Sequence, residues 1–179
     1  MNKKKLWISF FVPWILANLA GWFSYSAILI TPHLAWKIPL SAAAVLGLLQ
    51  WAVLNHHLGI DFRWMAASML VYGSLFYAEY AISYSGSLLF LAAILLGLLG
   101  LMHYWILDEQ IAHAKAWIFT SPIAGVLGLL FAALALQSGS LGRAWATQGL
   151  VYGIVTGIVL MFSMSKLADA MNSIHKKGG

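Results

Sequence analysis

Residues 88–107 read LLFLAAILLGLLGLMHYWIL. No charged side chain interrupts them, and a helix of about 20 residues, rising 1.5 Å per residue, crosses a hydrocarbon core of about 30 Å. Lipid offers no partner to an unpaired N–H or C=O, so such a segment is expected to be helical. Five other stretches share this character, and spans are expected at about 6–29, 34–54, 62–81, 88–107, 117–136 and 145–165. The expected fold class is an all-α integral membrane protein. It is a six-transmembrane-helix bundle forming one domain over residues 1–179, with a basic cytoplasmic tail at 166–179.

The composition agrees. Hydrophobic types make up 62% of the 179 residues and charged types 8%, against about 25% charged in soluble domains. Ten basic and five acidic side chains are too few to cover a soluble globule of this size. That excludes a soluble domain, a disordered chain and a nucleic-acid binder. The absence of cysteine excludes disulfides, thiol catalysis and thiolate metal sites.

The charges also orient the chain. With the N-terminus in the cytoplasm, Lys3, Lys4, Lys5, Arg63, Lys115, Lys166, Lys176 and Lys177 fall on the inner side, and only Lys37 and Arg143 on the outer. This positive-inside bias predicts cytoplasmic termini and an even number of spans. Trp7, Trp36, Trp64, Trp117 and Trp145 lie near span ends and read as interfacial anchors. The first span follows a basic run but lacks a good small-x-small cleavage site, so it is expected to be a retained helix. In the tail, Leu167, Met171 and Ile174 at helical spacing predict an extension along the cytoplasmic surface.

An internal repeat connects residues 44–68 with 97–121 at an offset of 53. Ala44, Gly47, Gln50, Leu54, Trp64 and Ser68 match Gly97, Gly100, His103, Leu107, Trp117 and Ser121. Each unit is a helix, a short turn and a returning helix, which predicts two parallel helical-hairpin repeats about an axis along the membrane normal. The run Gly47-Leu48-Leu49-Gln50-Trp51-Ala52-Val53-Leu54, followed by a short turn and Trp64, resembles the repeated Gly-x-x-Gln-Trp-x-Val-Leu hairpin of a group of small bacterial membrane proteins frequent in cyanobacteria. The resemblance covers roughly residues 40–130. It implies a multi-span bundle with repeats in the bacterial inner membrane or an internal membrane, and it implies no activity. In that group a basic turn usually follows the motif; here it is Asn55, His56 and His57, and in the second copy Asp108 and Glu109.

Few residues are candidates for chemistry. His103 and Gln50, each about one turn inside the cytoplasmic end of its span, either hydrogen-bond between helices or bind a cofactor. A flat lipophilic macrocycle such as chlorophyll would need an imidazole or amide ligand with glycines beside it. Glu79, the one acid on the outer half, and Asn18, mid-span after the helix-weakening Pro13, are candidate substrate-binding residues. His56, His57, Asp61, Asp108, Glu109 and His113 fall in the two cytoplasmic turns, where they read as solvated polarity or as a metal or proton site. Gly149, Gly153 and Gly157 leave one face of the last span bare, for packing within the bundle, for partner subunits or a second copy, or for a pigment. Ala93, Gly97 and Gly100, Gly125 and Gly128, and Ala17 and Gly21 form shorter stripes. No hydrolase, nucleotide-binding or zinc-protease motif occurs.

Three function classes follow: a non-enzymatic accessory or scaffold subunit contacting lipid or pigment, a small-molecule transporter or its membrane substrate-binding component, and a lipid-modifying enzyme. The second rests on a likeness in size and span number to the substrate-binding subunits of energy-coupling factor vitamin transporters, with Ala17-x-x-x-Gly21 resembling their Ala-x-x-x-Ala motif. The first is the reading the sequence favours.

Overall fold

The computed structural model describes residues 7–28, 38–82, 86–108, 110–111, 113–137 and 139–177. For 7, 27–28, 38, 79–82, 86–89 and 167–177 it describes the backbone alone. A π-helical turn, Trp7–Phe11, leads into α1 (Val12–Ile28). Then come α2 (Ile38–Leu58), α3 (Arg63–Ile82), α4 (Gly86–Leu107), α5 (Ala116–Leu136) and α6 (Leu141–Lys177). The helices coincide with the expected spans to within a few residues, except that α6 runs without a break through the sixth span and the tail. From Ser165 to Lys177 no Gly or Pro stops it. Pro13 stands where the winding passes from π to α. Its missing N–H takes a donor from the preceding helical turn.

Four segments are long and apolar enough to cross a membrane: Ile8–Ser26, Phe90–Leu107, Ala116–Leu136 and Leu141–Lys166. α2 carries Gln50, Asn55, His56 and His57, and α3 carries Arg63 with several Ser and Tyr, its side chains being described only as far as Ala78. Large apolar side chains are nonetheless exposed on every helix, among them Leu16, Leu48, Leu70, Trp105, Phe119 and Phe162. Apolar residues all around a helix suit a lipid environment.

The helices form a closed ring: each packs on the next in sequence, and α6 returns to pack along α1. The interior is layered. At the end holding the α2–α3 and α4–α5 turns, Phe10, Trp14, Leu54, Trp64, Leu107, Trp117 and Leu160 form one apolar cluster. Towards the opposite end, Trp22, Leu46, Tyr72, Phe76, Leu99, Trp145 and Tyr152 form a second. Between them, three or four residues from members of both clusters, each helix supplies a buried polar side chain to this layer, and these are Asn18, Gln50, Ser68, His103, Ser121 and Thr156.

Three of the expected interfacial tryptophans belong to this interior. Trp64 is 0%, Trp117 2% and Trp145 2% exposed. Position near a span end gave their depth, while the helix face they occupy turns them inward. Trp105, 66% exposed, is the indole that faces outward. Trp36 and the side chain of Trp7 lie outside the described residues.

The bare face of α6 is filled by α1 of the same chain, which corrects the expectation of a partner or pigment on it. A Cβ on Gly149 would sit 2.6 Å from the Asn18 carbonyl oxygen, on Gly153 3.2 Å from the Ile15 Cα, and on Gly157 2.9 Å from Trp14 Cδ1. The ring closes because these glycines allow backbone-to-backbone approach. Gly100 works similarly against α5, where its Cβ would lie 3.0 Å from the Ile118 carbonyl oxygen, an acceptor that Pro122 leaves without its helical donor. Gly97, by contrast, has nothing within 4 Å of its Cβ position.

Candidate functional site

The polar layer is the concentration of hydrogen-bonding side chains inside the ring. Its geometry starts from three tryptophans, because an indole N–H only donates and so fixes the role of whatever it meets. Trp117 Nε1 donates to His103 Nδ1 (3.1 Å), Trp64 Nε1 to Gln50 Oε1 (3.4 Å) and Trp14 Nε1 to Thr156 Oγ1 (3.0 Å). The three indoles meet edge to face, with ring centroids 5.7, 6.3 and 6.4 Å apart.

The indole of Trp117 fixes the tautomer of His103. With Nδ1 accepting, the neutral ring carries its proton on Nε2, which donates to Ser68 Oγ at 3.1 Å. Ser68 Oγ donates in turn to Gln50 Oε1 (3.4 Å), and Gln50 Nε2 donates to Asn18 Oδ1 (2.8 Å) and reaches Tyr72 Oη (3.4 Å). Asn18 Nδ2 ends the chain on the Trp14 carbonyl (2.9 Å). On the far side Thr156 donates to the Tyr152 carbonyl (2.6 Å), and the hydroxyls of Ser121 and Tyr152 lie 3.0 Å apart. Asn18, Ser68, His103, Ser121 and Thr156 are 0% exposed and Gln50 is 1%.

The structure thus brings together three of the four expected site residues, Asn18, Gln50 and His103, and binds them to one another. A macrocycle ligand needs an imidazole nitrogen with free space along its lone pair. Both nitrogens of His103 are engaged, and its ring stacks on Trp64 at 3.4 Å between centroids. The expected chlorophyll-type ligation by His103 and Gln50 therefore has no vacant position. The Ser68–His103 contact has the reach of a nucleophile and its base, but Nε2 already holds a proton and cannot accept the serine's. The fourth expected residue, Glu79, lies in the last turn of α3, and its side chain is outside the described residues.

The turn residues stay apart. Asp61 pairs with Arg63 (Nε to Oδ2, 2.6 Å) and accepts from its backbone N–H. His57 reaches the Ser9 carbonyl at 2.9 Å; burial lowers its imidazole pKa, partly offset by that hydrogen bond. His113 has a left-handed backbone, φ +64°. Among the described residues no three His, Asp or Glu converge in a metal-holding group; Glu109 lies outside them.

Sequence reasoning missed the partners Ser68 and Thr156 and a second buried amide, Gln148. Gln148 is 0% exposed, and neither its Oε1 nor its Nε2 has a hydrogen-bond partner among the described residues; the same holds for Trp22 Nε1. A Gln in a long apolar helix was visible in the sequence; that it points inward depends on packing. Comparison of the chain with protein-family models, curated proteins and solved structures gives no match.

Proposed function

We propose that the protein is a six-span, non-enzymatic membrane scaffold, an accessory subunit of a complex in the bilayer, with both termini in the cytoplasm. The observation that carries this is the closed ring. The polar side chains Asn18, Gln50, Ser68 and His103 are spent on each other in its middle, while its outer wall of Leu, Ile, Phe and Trp is what lipid or a neighbouring subunit would meet.

The hydrogen bonds support a repeat of three hairpins where the sequence alone suggested two. Offsets of 53 relate Gly47, Gly100 and Gly153, then Gln50, His103 and Thr156, then Leu54, Leu107 and Leu160. Trp64, Trp117 and Trp14 each donate to the matched polar residue. In this reading α2–α3 and α4–α5 are two copies, and the third is split, α6 supplying its first helix and α1 its second. A ring of such copies has no free seam, which suits a rigid scaffold.

Purification from the native membrane in mild detergent tests the function. A defined partner at fixed stoichiometry is expected. A lone protein that binds a water-soluble metabolite overturns it and favours the second reading, a membrane substrate-binding component. The unpaired amide of Gln148 and the indole N–H of Trp22 favour that reading, since buried groups without partners are where a small polar solute would bond. Loss of such binding in Gln148→Leu would establish it.

A further inference from the structure

The three proposed copies differ on their outer faces. In copy one the seam between α3 and α4, the most thinly packed of the ring, holds an outward-facing groove of about 370 Å³. Ala66, Ala67 and Leu70 line one wall and Met102 and Trp105 the other, with Arg63 at the mouth. The matched positions explain why the groove is here. Where α3 has Ala66, α5 has Phe119 and α1 has Leu16; where it has Arg63, they have Ala116 and Pro13. Copy one thus lacks the bulky side chain its counterparts carry, and it alone has a cation at the position of Arg63.

We propose that this groove binds one acyl chain of an anionic phospholipid of the cytoplasmic leaflet, with the lipid phosphate at Arg63. The lining is apolar at acyl-chain depth, and an exposed indole, Trp105, suits the headgroup boundary. Arg63 is turned outward, its side chain 63% exposed. A guanidinium offers five donors in a fork that fits phosphate, and the bond to Asp61 uses its Nε. Ala67 and Met102 adjoin Ser68 and His103 in sequence, so the chain in the groove seals the seam over that buried pair. This inference rests on the membrane reading above and on the matching of the three copies.

The test uses the full chain reconstituted in vesicles of equal phosphatidylglycerol and phosphatidylcholine, extracted in mild detergent and weighed intact by native mass spectrometry. One retained phosphatidylglycerol is expected. Arg63→Gln should cut its preference over phosphatidylcholine about fivefold, the size of one basic residue at an anionic surface. Ala66→Phe, at an exposed position, installs the second copy's residue and should abolish retention while the protein stays folded by circular dichroism. Equal retention of both lipids by the unaltered protein, or an undiminished adduct in Ala66→Phe, overturns the proposal. A sodium carbonate wash separates the two failures. A protein that stays in the pellet without the adduct overturns the lipid site alone, and a protein released by the wash overturns the membrane reading and the site with it.

Discussion

His103 shows how a residue type with many possible roles is given one by its surroundings. Its depth in α4, the two glycines that precede it at spacings of three and six residues and an apolar context were all readable in advance, and they suited a cofactor ligand as well as a structural histidine. The decision came from α3 and α5, which place Ser68 and Trp117 on its two nitrogens and Trp64 on its face. Replacing His103 by Leu leaves the Trp117 N–H buried without a partner and takes from the Ser68 hydroxyl the bond it accepts, leaving Ser68 its bond to Gln50. Orphaned groups of this kind cost about 1–3 kcal/mol, with membrane examples towards the low end. We expect His103→Leu to lower unfolding stability by about that amount without altering any absorption band. Stability equal to the parent's would show that the chain of bonds is not holding the helices together. Gln50→Leu should cost at least as much, since Gln50 contacts Asn18, Trp64, Ser68 and Tyr72.

At the scale of elements, the helices owe their existence and extent to apolar runs of the right length, but their pairing is set by glycine. α6 returns to α1 because Gly149, Gly153 and Gly157 leave no side chain in the way. Gly149→Ala would put a methyl 2.6 Å from a backbone oxygen of α1, so one helix has to move; overpacking of this kind costs about 1–3 kcal/mol. Gly97→Ala meets nothing within 4 Å and removes a helix-interior glycine, a gain of about 0.5–1 kcal/mol. Chemical unfolding in detergent of the two variants side by side should give opposite signs. Equal effects would refute the claim that α1 and α6 are in backbone contact at Gly149. Sequence alone ranked these glycines alike, because a stripe of small residues states that something approaches closely without stating what.

For the whole molecule, the distribution of basic residues predicts which end of the ring faces the cytoplasm. The natural absence of cysteine makes this direct to measure. Asn55→Cys, at the end of α2, and Ser140→Cys, in the α5–α6 turn, place single thiols at opposite ends. In intact cells an impermeant maleimide should label Ser140→Cys and leave Asn55→Cys unlabelled until the membrane is opened. The reverse pattern would invert the topology, and labelling of both from one side would contradict the six-span reading. α2 and α3, the two less apolar helices, make this more than a formality. Their polar residues Gln50 and Ser68 face the ring interior, and their hydropathy understates how apolar their outer faces are.

What the sequence determined by itself is the solvent and the elements. Charge scarcity and runs of about 20 apolar residues leave helices as the economical answer in lipid, since backbone groups there must pair locally, and an offset of 53 predicts repeated hairpins. What only the tertiary structure decided is direction. Whether Trp64 and Trp117 look to lipid or inward, whether Gly149 meets a partner or α1, and whether His103 offers or spends its nitrogens all depend on which helix lies opposite. That information is long-range: Trp14 finds Thr156 142 residues away. The third copy we propose is hidden in the sequence for the same reason, because its two helices stand at opposite ends of the chain and only the closing of the ring brings them together.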